Sequence, residues 1–308
     1  MRSDDDTWDI TTSVGSTALL VAAARALEAQ KTEPMASDQF GAVFCRAAGD
    51  QWAEVVDGRD STHRLRSEWG SYFVEYQGAR TRFFDDYFAR AAGAGVRQIV
   101  LLAAGLDSRA YRLSWPAGTV LYELDQPKVL EFKRDVMARH GAAPTAHRVE
   151  VAIDLRQDWP QALRDAGFDD QKPSAFIAEG LLIYLPATAQ EAIFTGIDSL
   201  ATPGSFIGIE EGSPIPDTEW KNAKDAAVST PTEWDQSSFF NLIYNEQIAP
   251  AAEWFGNRGW DTESTPLPDQ LTQLGRALPP VGSDGERMIN FTTLVSGVKR
   301  SASPGSSH

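Results

Sequence analysis

The 308-residue chain is poor in cysteine, in basic residues and in long apolar runs. Its single cysteine, Cys45, has no partner for an internal disulfide, and nothing around it resembles a thiol-rich metal site. This usage is typical of proteins from reducing compartments. We therefore expect no structural disulfide and no bound metal.

Basic residues are outnumbered by acidic ones, 28 to 43, which gives a formal net charge of −15. An acidic surface repels both duplex nucleic acid and anionic lipid, and no dense cluster of lysine and arginine offsets it. The charge therefore argues against nucleic acid and against a membrane surface as partners.

No apolar run in the chain is long enough to cross a bilayer. The segment STALLVAAARALEA contains Arg25 and Glu28, and its pattern predicts an amphipathic helix. The opening MRSDDDTWD has three successive aspartates where a secretory signal carries positive charge. We expect a cytoplasmic protein.

Two kinds of pattern divide the chain. Residues 1–92 carry helical periodicity, whereas from about residue 96 short apolar strands alternate with helices. Helices are predicted over 126–140 and 158–166, and the strands that alternate with them over 98–104, 119–124, 147–153 and 175–179. Strand–helix alternation at this spacing predicts a parallel sheet covered on both faces.

The rest of the chain continues the α/β domain with one interruption. A helix is predicted over 186–201, a fifth strand in TPGSFIGIE, and a final strand over 288–299. Residues 212–250 are polar and contain prolines, which we interpret as a helical insertion lying over the mouth of a site. The predicted organisation is an N-terminal helical segment 1–92, an α/β domain 93–300 and a disordered tail 301–308.

Acidic residues follow successive predicted strands at their carboxyl ends, where open α/β sheets bind ligands. Gly105 and Asp107 follow the first strand, and Asp125, Asp154 and Glu179 follow the next three. Each acid alone is equally well explained as a helix N-cap. Together they match adenosine, whose ribose hydroxyls and exocyclic amine all require hydrogen-bond acceptors.

The turn after the first strand distinguishes between nucleotide cofactors. It reads Ala103-Ala104-Gly105-Leu106-Asp107, with one glycine where dinucleotide sites carry G-x-G-x-x-G. An acid at Asp107 repels a pyrophosphate and tolerates a cation, so a nucleoside bearing an amino acid, as in S-adenosylmethionine, fits better. A nicotinamide-dependent oxidoreductase and a non-catalytic nucleoside-binding module remain the alternatives.

Four motifs carry a family resemblance: LLAAGLDSRAYRL, YELDQP, DLRQDWP and AEGLLIYLP. In this order they resemble the leucine carboxyl methyltransferase family, and in particular its branch of S-adenosylmethionine-dependent methyltransferases abundant in mycobacteria. The resemblance begins near TWDITTSVG and covers roughly two-thirds of the chain. It implies a class I methyltransferase fold: a seven-stranded, mostly parallel sheet with an antiparallel last strand, N-terminal helices and a helical insertion that lies over the site as a lid.

The resemblance also implies roles for individual residues. Glu179 would face the methionine part of the cofactor, and Arg80 would pair with its carboxylate, unless Arg80 is a surface residue paired with Asp85 or Asp86. Tyr184 either lines the acceptor pocket or belongs to the core. The family often has glycine at the position of Ala103. Asp125 would bind the ribose hydroxyls, and Asp154 and Leu155 would hold adenine. The remaining cofactor contacts are Gly105, which lets the backbone approach the ligand, Asp107, which tolerates or binds a cation, and Gln126.

The expected reaction is transfer of a methyl group to a carboxylate or hydroxyl oxygen of a small molecule or peptide. A carboxylate is already ionised at neutral pH and needs no general base, whereas a hydroxyl needs one. None of the four histidines follows a predicted strand at the site. We therefore assign no catalytic base, and the chemistry mildly favours a carboxylate.

Overall fold

A computed structural model describes residues 13–222 and 242–301, and gives only the backbone of residues 13–16. The described part of the N-terminal segment is helical. Ser67 begins its longest helix, where the hydroxyl accepts a hydrogen bond from the amide of Gly70 at 3.2 Å. The helices are α1 (Ser13–Ala29), α2 (Gly41–Ala48), α3 (Asp50–Val56) and α4 (Glu68–Gly93), with a 3₁₀ turn (Arg64–Arg66) before α4.

The centre of the molecule is a seven-stranded mixed sheet with strand order β3-β2-β1-β4-β5-β7-β6. Strand β7 runs antiparallel to both neighbours, and the other pairs are parallel. The strands are β1 (Gln98–Leu102), β2 (Val120–Asp125), β3 (His147–Ala152), β4 (Ser174–Ala178), β5 (Phe206–Gly212), β6 (Trp260–Pro266) and β7 (Thr292–Lys299). The predicted fold is confirmed.

Helices connect the strands and cover both faces of the sheet. Three of these helices were predicted, over 126–140, 158–166 and 186–201. Each of them begins and ends within one residue of the predicted bounds. The helices are α5 (Arg109–Arg112), α6 (Pro127–Arg139), α7 (Trp159–Asp165), α8 (Ala187–Leu200), α9 (Ala251–Gly256), α10 (Leu267–Gln273) and α11 (Asp284–Asn290), with a 3₁₀ turn at Leu182–Tyr184.

Two predicted strands were too long. The first ends at Leu102 rather than at residue 104, because Ala103 has a φ of 52° and leaves the extended conformation. The last begins at Thr292 rather than at residue 288. Residues 288–290 belong to α11, whose start is fixed by Ser283, which accepts a hydrogen bond from the amide of Glu286 at 3.1 Å.

The N-terminal helices share a hydrophobic core with the sheet. Phe84 and Tyr87 of α4 are fully buried in the same cluster as Ile99 of β1 and Leu121 of β2. The hydroxyl of Tyr87 donates to the carbonyl of Phe176 in β4 at 2.7 Å. These contacts hold α4 against the sheet, while a domain boundary at residue 92 stays a prediction.

The predicted insertion is described in part. Residues 217–222 are helical, whereas residues 223–241 lie outside the described part of the chain, as do residues 302–308 of the predicted tail. Among the helices of the described ranges, none combines the length and the apolarity that a bilayer crossing requires.

Candidate functional site

A cavity of about 1320 Å³ lies at the carboxyl ends of the parallel strands. Topology places it there, because all the parallel strands end at the same edge of the sheet. All ten residues predicted for the site line this cavity: Arg80, Ala103, Gly105, Asp107, Asp125, Gln126, Asp154, Leu155, Glu179 and Tyr184. The structure thus brings the predicted residues together, and their individual roles stay predictions.

The turn after β1 is built from two left-handed residues, Ala103 with φ 52° and Gly105 with φ 47°. A Cβ on Gly105 would meet no heavy atom closer than 3.8 Å, so its backbone conformation, and not crowding, favours glycine there. Ala103 adopts the same conformation with a side chain. The family's preference for glycine at this position therefore has a physical reason, and alanine carries strain.

Asp125, at the end of β2, is held by two backbone amides. Its Oδ2 accepts from the Gly105 amide at 2.6 Å and its Oδ1 from the Gln126 amide at 2.7 Å. Burial raises the pKa of this carboxyl from 3.8 to about 6, although the two hydrogen bonds oppose the shift. Each oxygen keeps one lone pair, which matches the two vicinal hydroxyls of a ribose.

Asp154, beyond β3, carries a bidentate partner. The Arg156 guanidinium contacts both carboxylate oxygens at 2.6–3.0 Å and holds the pKa of Asp154 below its usual value. The Arg156 side chain is about half exposed. Leu155 lies partly buried between these two residues on the cavity wall.

Arg80 lies at the centre of a buried ion-pair network. Only 4% of the residue is exposed. Its Nε lies 3.0 Å from Glu179 Oε1, and its Nη1 donates to Glu210 Oε2 at 2.7 Å. Glu179 also accepts from Arg109 Nη1 at 2.7 Å. Burial opposes the charge of Arg80, but these carboxylates outweigh it and raise the arginine's pKa.

The alternative surface pairing of Arg80 is wrong. Asp86 pairs with Arg82 on the exposed side of α4, and Asp85 pairs with Arg109 and Arg112. Arg80 faces the opposite way, into the cavity.

Asp107 does not present the unpaired charge that the sequence suggested. Its Oδ1 accepts from the Arg109 amide at 2.7 Å, and its Oδ2 pairs with the Arg109 guanidinium. Burial alone would raise the pKa of Asp107, but Arg109 and Lys133 outweigh it and hold that pKa at about 2. A bare negative charge therefore does not exclude pyrophosphate. Instead, the Asp107 carboxylate already accepts from the first amide of the short α5, where a pyrophosphate would bind.

The comparisons with known proteins agree with this geometry. The family model for leucine carboxyl methyltransferase matches residues 18–198, more than half of the chain. The chain belongs to the leucine carboxyl methyltransferase family.

Relatives in this family align over nearly their full lengths. A protein from Mycolicibacterium paratuberculosis, named as an S-adenosyl-L-methionine-dependent methyltransferase, is 60% identical over 97% of this chain and 100% of its own length. A protein of the same description from Mycobacterium tuberculosis is 56% identical over the same shares. A crystal structure of a methyltransferase from Thermobifida fusca superposes with a TM-score of 0.51 at 17% identity, covering 84% of this chain and 94% of its own, and it supports the fold.

Two residues of this leucine carboxyl methyltransferase family member were missed from the sequence. Glu210 accepts from Arg80, from the amide of Gly180 at 2.5 Å and from the hydroxyl of Tyr76. Glu210 lies near the end of β5 in FIGIEEG, so the rule that singled out the other strand-end acids would have found it. Tyr76 had no such signal, because it lies in a helix dense in aromatic residues.

The cavity also has an apolar and aromatic part. Trp69, Phe73 and Tyr76 of α4 line one wall, and Tyr184, in the 3₁₀ turn after β4, lines the same cavity partly buried. Gln77 is 1% exposed and lines this cavity too, and its Oε1 has no hydrogen-bond partner among the described residues. A core position for Tyr184 is therefore wrong, while its contact with an acceptor stays a prediction.

Proposed function

We propose that this methyltransferase transfers the methyl group of S-adenosyl-L-methionine to a carboxylate oxygen of its acceptor. The observation that carries the proposal is the set of strand-end acids around one cavity, joined there by the buried Arg80. Their order along the sheet matches the order of groups in the cofactor: adenine, ribose and amino acid.

Adenosine would be bound at the ends of β2 and β3. The free lone pairs of Asp125 accept from the two ribose hydroxyls, while the Gly105 and Gln126 amides fix its carboxylate. Asp154 accepts from the adenine amine, and Leu155 packs against the ring. Arg156 pairs with Asp154, so the adenine amine would compete with the Arg156 guanidinium for this carboxylate.

The methionine part would be bound at the other side of the glycine turn. Arg80 pairs with the cofactor carboxylate, and Glu210 fixes the Arg80 guanidinium by its bond to Nη1. Glu179 lies between Arg80 and Arg109, where its carboxylate faces the ammonium of the same amino acid. Because these partners are buried, little reorganisation accompanies binding.

The cofactor, when bound, would supply a methyl group on a positively charged sulfur. The sulfur keeps the electron pair of the broken carbon–sulfur bond and becomes a neutral thioether. The chain's own residues hold the two reactants in line and exclude water. An ionised carboxylate attacks without losing a proton. The strand-end acids are engaged by amides or arginines, and no histidine lies among the described lining residues, so the site matches an acceptor that needs no base.

A nicotinamide-dependent oxidoreductase is the second function that such a sheet supports. It would require a pyrophosphate at the first turn. Asp107 already accepts from the amide at the start of α5, and the turn carries a single glycine, Gly105, where dinucleotide sites carry G-x-G-x-x-G. We therefore propose S-adenosyl-L-methionine, and not a dinucleotide, as the ligand of this cavity.

The product distinguishes a carboxylate from a hydroxyl acceptor. The enzyme would be incubated with methyl-labelled S-adenosylmethionine and size-fractionated cell extract, and the products treated with alkali. A methyl ester releases labelled methanol under these conditions, whereas a methyl ether keeps its label. Release of methanol is expected, and an alkali-stable label would assign a hydroxyl acceptor instead.

The cellular location and the acceptor's size are part of the proposal. We place the enzyme in the cytoplasm, where the buried, unpaired thiol of Cys45 stays reduced. Burial raises the pKa of this thiol to about 12, so it is unreactive.

The acceptor is a small molecule or a peptide end that fits beside the cofactor in the cavity.

A further inference from the structure

The wall of the cavity formed by α4 is a continuous row of rings. Trp69 and Phe73 are stacked, with centroids 5.1 Å apart and planes at 13°. Phe73 meets Tyr76 edge to face at 5.9 Å. The spacing of these residues, at i, i+4 and i+7, puts them on one helical face. All three are partly exposed to the cavity, so the row forms part of its surface. We call these three residues the aromatic wall.

Each end of the aromatic wall carries a guanidinium. Arg64 lies over the Trp69 ring at 3.9 Å from its centroid, and Arg80 lies 5.5 Å from that of Tyr76. Arg80 belongs to the cofactor end of the cavity. The wall therefore starts where the proposed methionine contacts end and runs away from them, which is the space left for an acceptor.

Apolar residues from other elements complete this space. Val21 of α1, Met288 of α11 and Phe291 after it line the same cavity, each partly exposed, and Ile243 is buried beside them. A compartment of apolar side chains and ring edges binds an apolar, ring-bearing ligand by burial and by ring–ring contact. Apart from Gln77 Oε1, these apolar side chains offer no partner to the amides of a peptide main chain, which would lose their water on binding there.

Charge limits the ligand further. The net charge of −15 repels an anion at long range, so a carboxylate needs local compensation. The positive charge of the cofactor sulfur supplies it at the end of the compartment beside Arg80. The structure therefore favours one anionic group on an otherwise apolar body.

We propose that the acceptor is a carboxylic acid with an apolar, ring-bearing body, bound along the aromatic wall with its carboxylate toward Arg80. This inference rests on the proposed function, since it assigns the other half of the same cavity. It makes Trp69 and Phe73 residues that determine acceptor specificity.

The test uses 2-naphthoate as the probe and succinate as the hydrophilic comparison. Each would be titrated by calorimetry into the enzyme saturated with sinefungin, which carries an ammonium where the methyl donor carries its sulfonium, and each tried as an acceptor with labelled S-adenosylmethionine. We expect 2-naphthoate to bind at least about tenfold more tightly and to be methylated. Equal or tighter binding of succinate would overturn the inference.

Variants locate the probe. Trp69→Ala should weaken 2-naphthoate binding about tenfold and leave S-adenosylhomocysteine binding within about twofold, and Trp69→Phe should restore most of the loss. Trp52→Ala is the matched control, since Trp52 is also partly buried in an aromatic pair but lies outside the cavity lining. Unchanged probe binding in Trp69→Ala would overturn the inference. Failure of S-adenosylhomocysteine to bind would instead overturn the proposed function.

Discussion

At the scale of single residues, Ala103 has a left-handed backbone conformation that favours glycine over alanine. A φ of 52° costs alanine about 1–2 kcal/mol, whereas glycine adopts it freely at some cost in unfolded-state entropy. Ala103→Gly should therefore raise the free energy of unfolding by about 0.5–1 kcal/mol.

Denaturant unfolding measures this difference. The adjacent Ala104→Gly is the control, because Ala104 is buried and has an ordinary φ, so the same chemical change should destabilise the protein there. Destabilisation by Ala103→Gly of the same size as at Ala104 would show that strain at the turn is absent.

Asp125 gives the site a pH dependence. Its pKa is raised to about 6 in the folded protein, from 3.8, so folding takes up a proton in this window. The stability contribution of the protonated form is present below about pH 4 and is lost as the pH rises through 6. Cofactor binding has the opposite dependence, because the ribose hydroxyls require the ionised carboxylate.

Affinity for S-adenosylhomocysteine should therefore fall as the pH is lowered below 6, by up to about tenfold per unit. Calorimetric titrations between pH 5 and 8 measure this. Asp125→Asn should bind more weakly at every pH and lose the dependence. A wild-type affinity that is constant across this range would remove Asp125 from the ribose contact, since Asp107 and Asp154, with lowered pKa values, stay ionised throughout it.

At the scale of elements, α4 contributes to both proposed subsites of the cavity: its aromatic wall to the acceptor subsite and Arg80 to the cofactor subsite. Arg80→Lys keeps the charge but loses the planar fork that reaches Glu179 and Glu210 together with a ligand carboxylate. Binding of S-adenosylhomocysteine should weaken about tenfold. Binding of 5′-methylthioadenosine, which lacks the amino acid, should stay within about twofold.

Arg82→Lys is the matched control on the same helix, because Arg82 is about half exposed and pairs with Asp86 in solvent. It should leave both affinities unchanged. If Arg80→Lys weakened the binding of S-adenosylhomocysteine and of 5′-methylthioadenosine equally, Arg80 would act by stabilising the fold rather than by binding the cofactor carboxylate.

The elements themselves were largely predictable from the sequence. A parallel strand that is buried on both faces has a nearly continuous run of apolar residues in its sequence. Strand β1 is an example, because all five of its residues are buried. Helix α11 was missed, because Met288 and Ile289 precede the β-branched run of β7 and share its composition. The capping serine at 283 and Glu286, three residues on, carried the helical signal.

The positions of the site residues followed from one rule, the convergence of parallel strand ends, whereas their partners did not. Arg80 and Glu210 are 130 residues apart, and no local pattern links a helix before the sheet to the fifth strand. Asp107 and Arg109 are close in sequence, yet their pairing depends on the chain reversing after β1. The ion-pair network is a product of the tertiary fold.

At the scale of the whole molecule, the N-terminal helices and the sheet form one cavity as well as one core. Arg25 of α1 donates to the carbonyl of Leu106 at 2.7 Å and pairs with Asp38, which in turn accepts from Ser108 at 2.7 Å. These bonds join the first helix to the glycine turn at the proposed cofactor site.

The central claim, that this cavity holds S-adenosylmethionine and not a dinucleotide, is tested most directly by calorimetric titration of the protein with S-adenosylhomocysteine and, separately, with NAD⁺ and NADP⁺. We predict saturable one-site binding of S-adenosylhomocysteine, weakened by about 1–3 kcal/mol in Asp125→Ala, and no binding of either dinucleotide. Saturable binding of a dinucleotide without binding of S-adenosylhomocysteine would contradict the account.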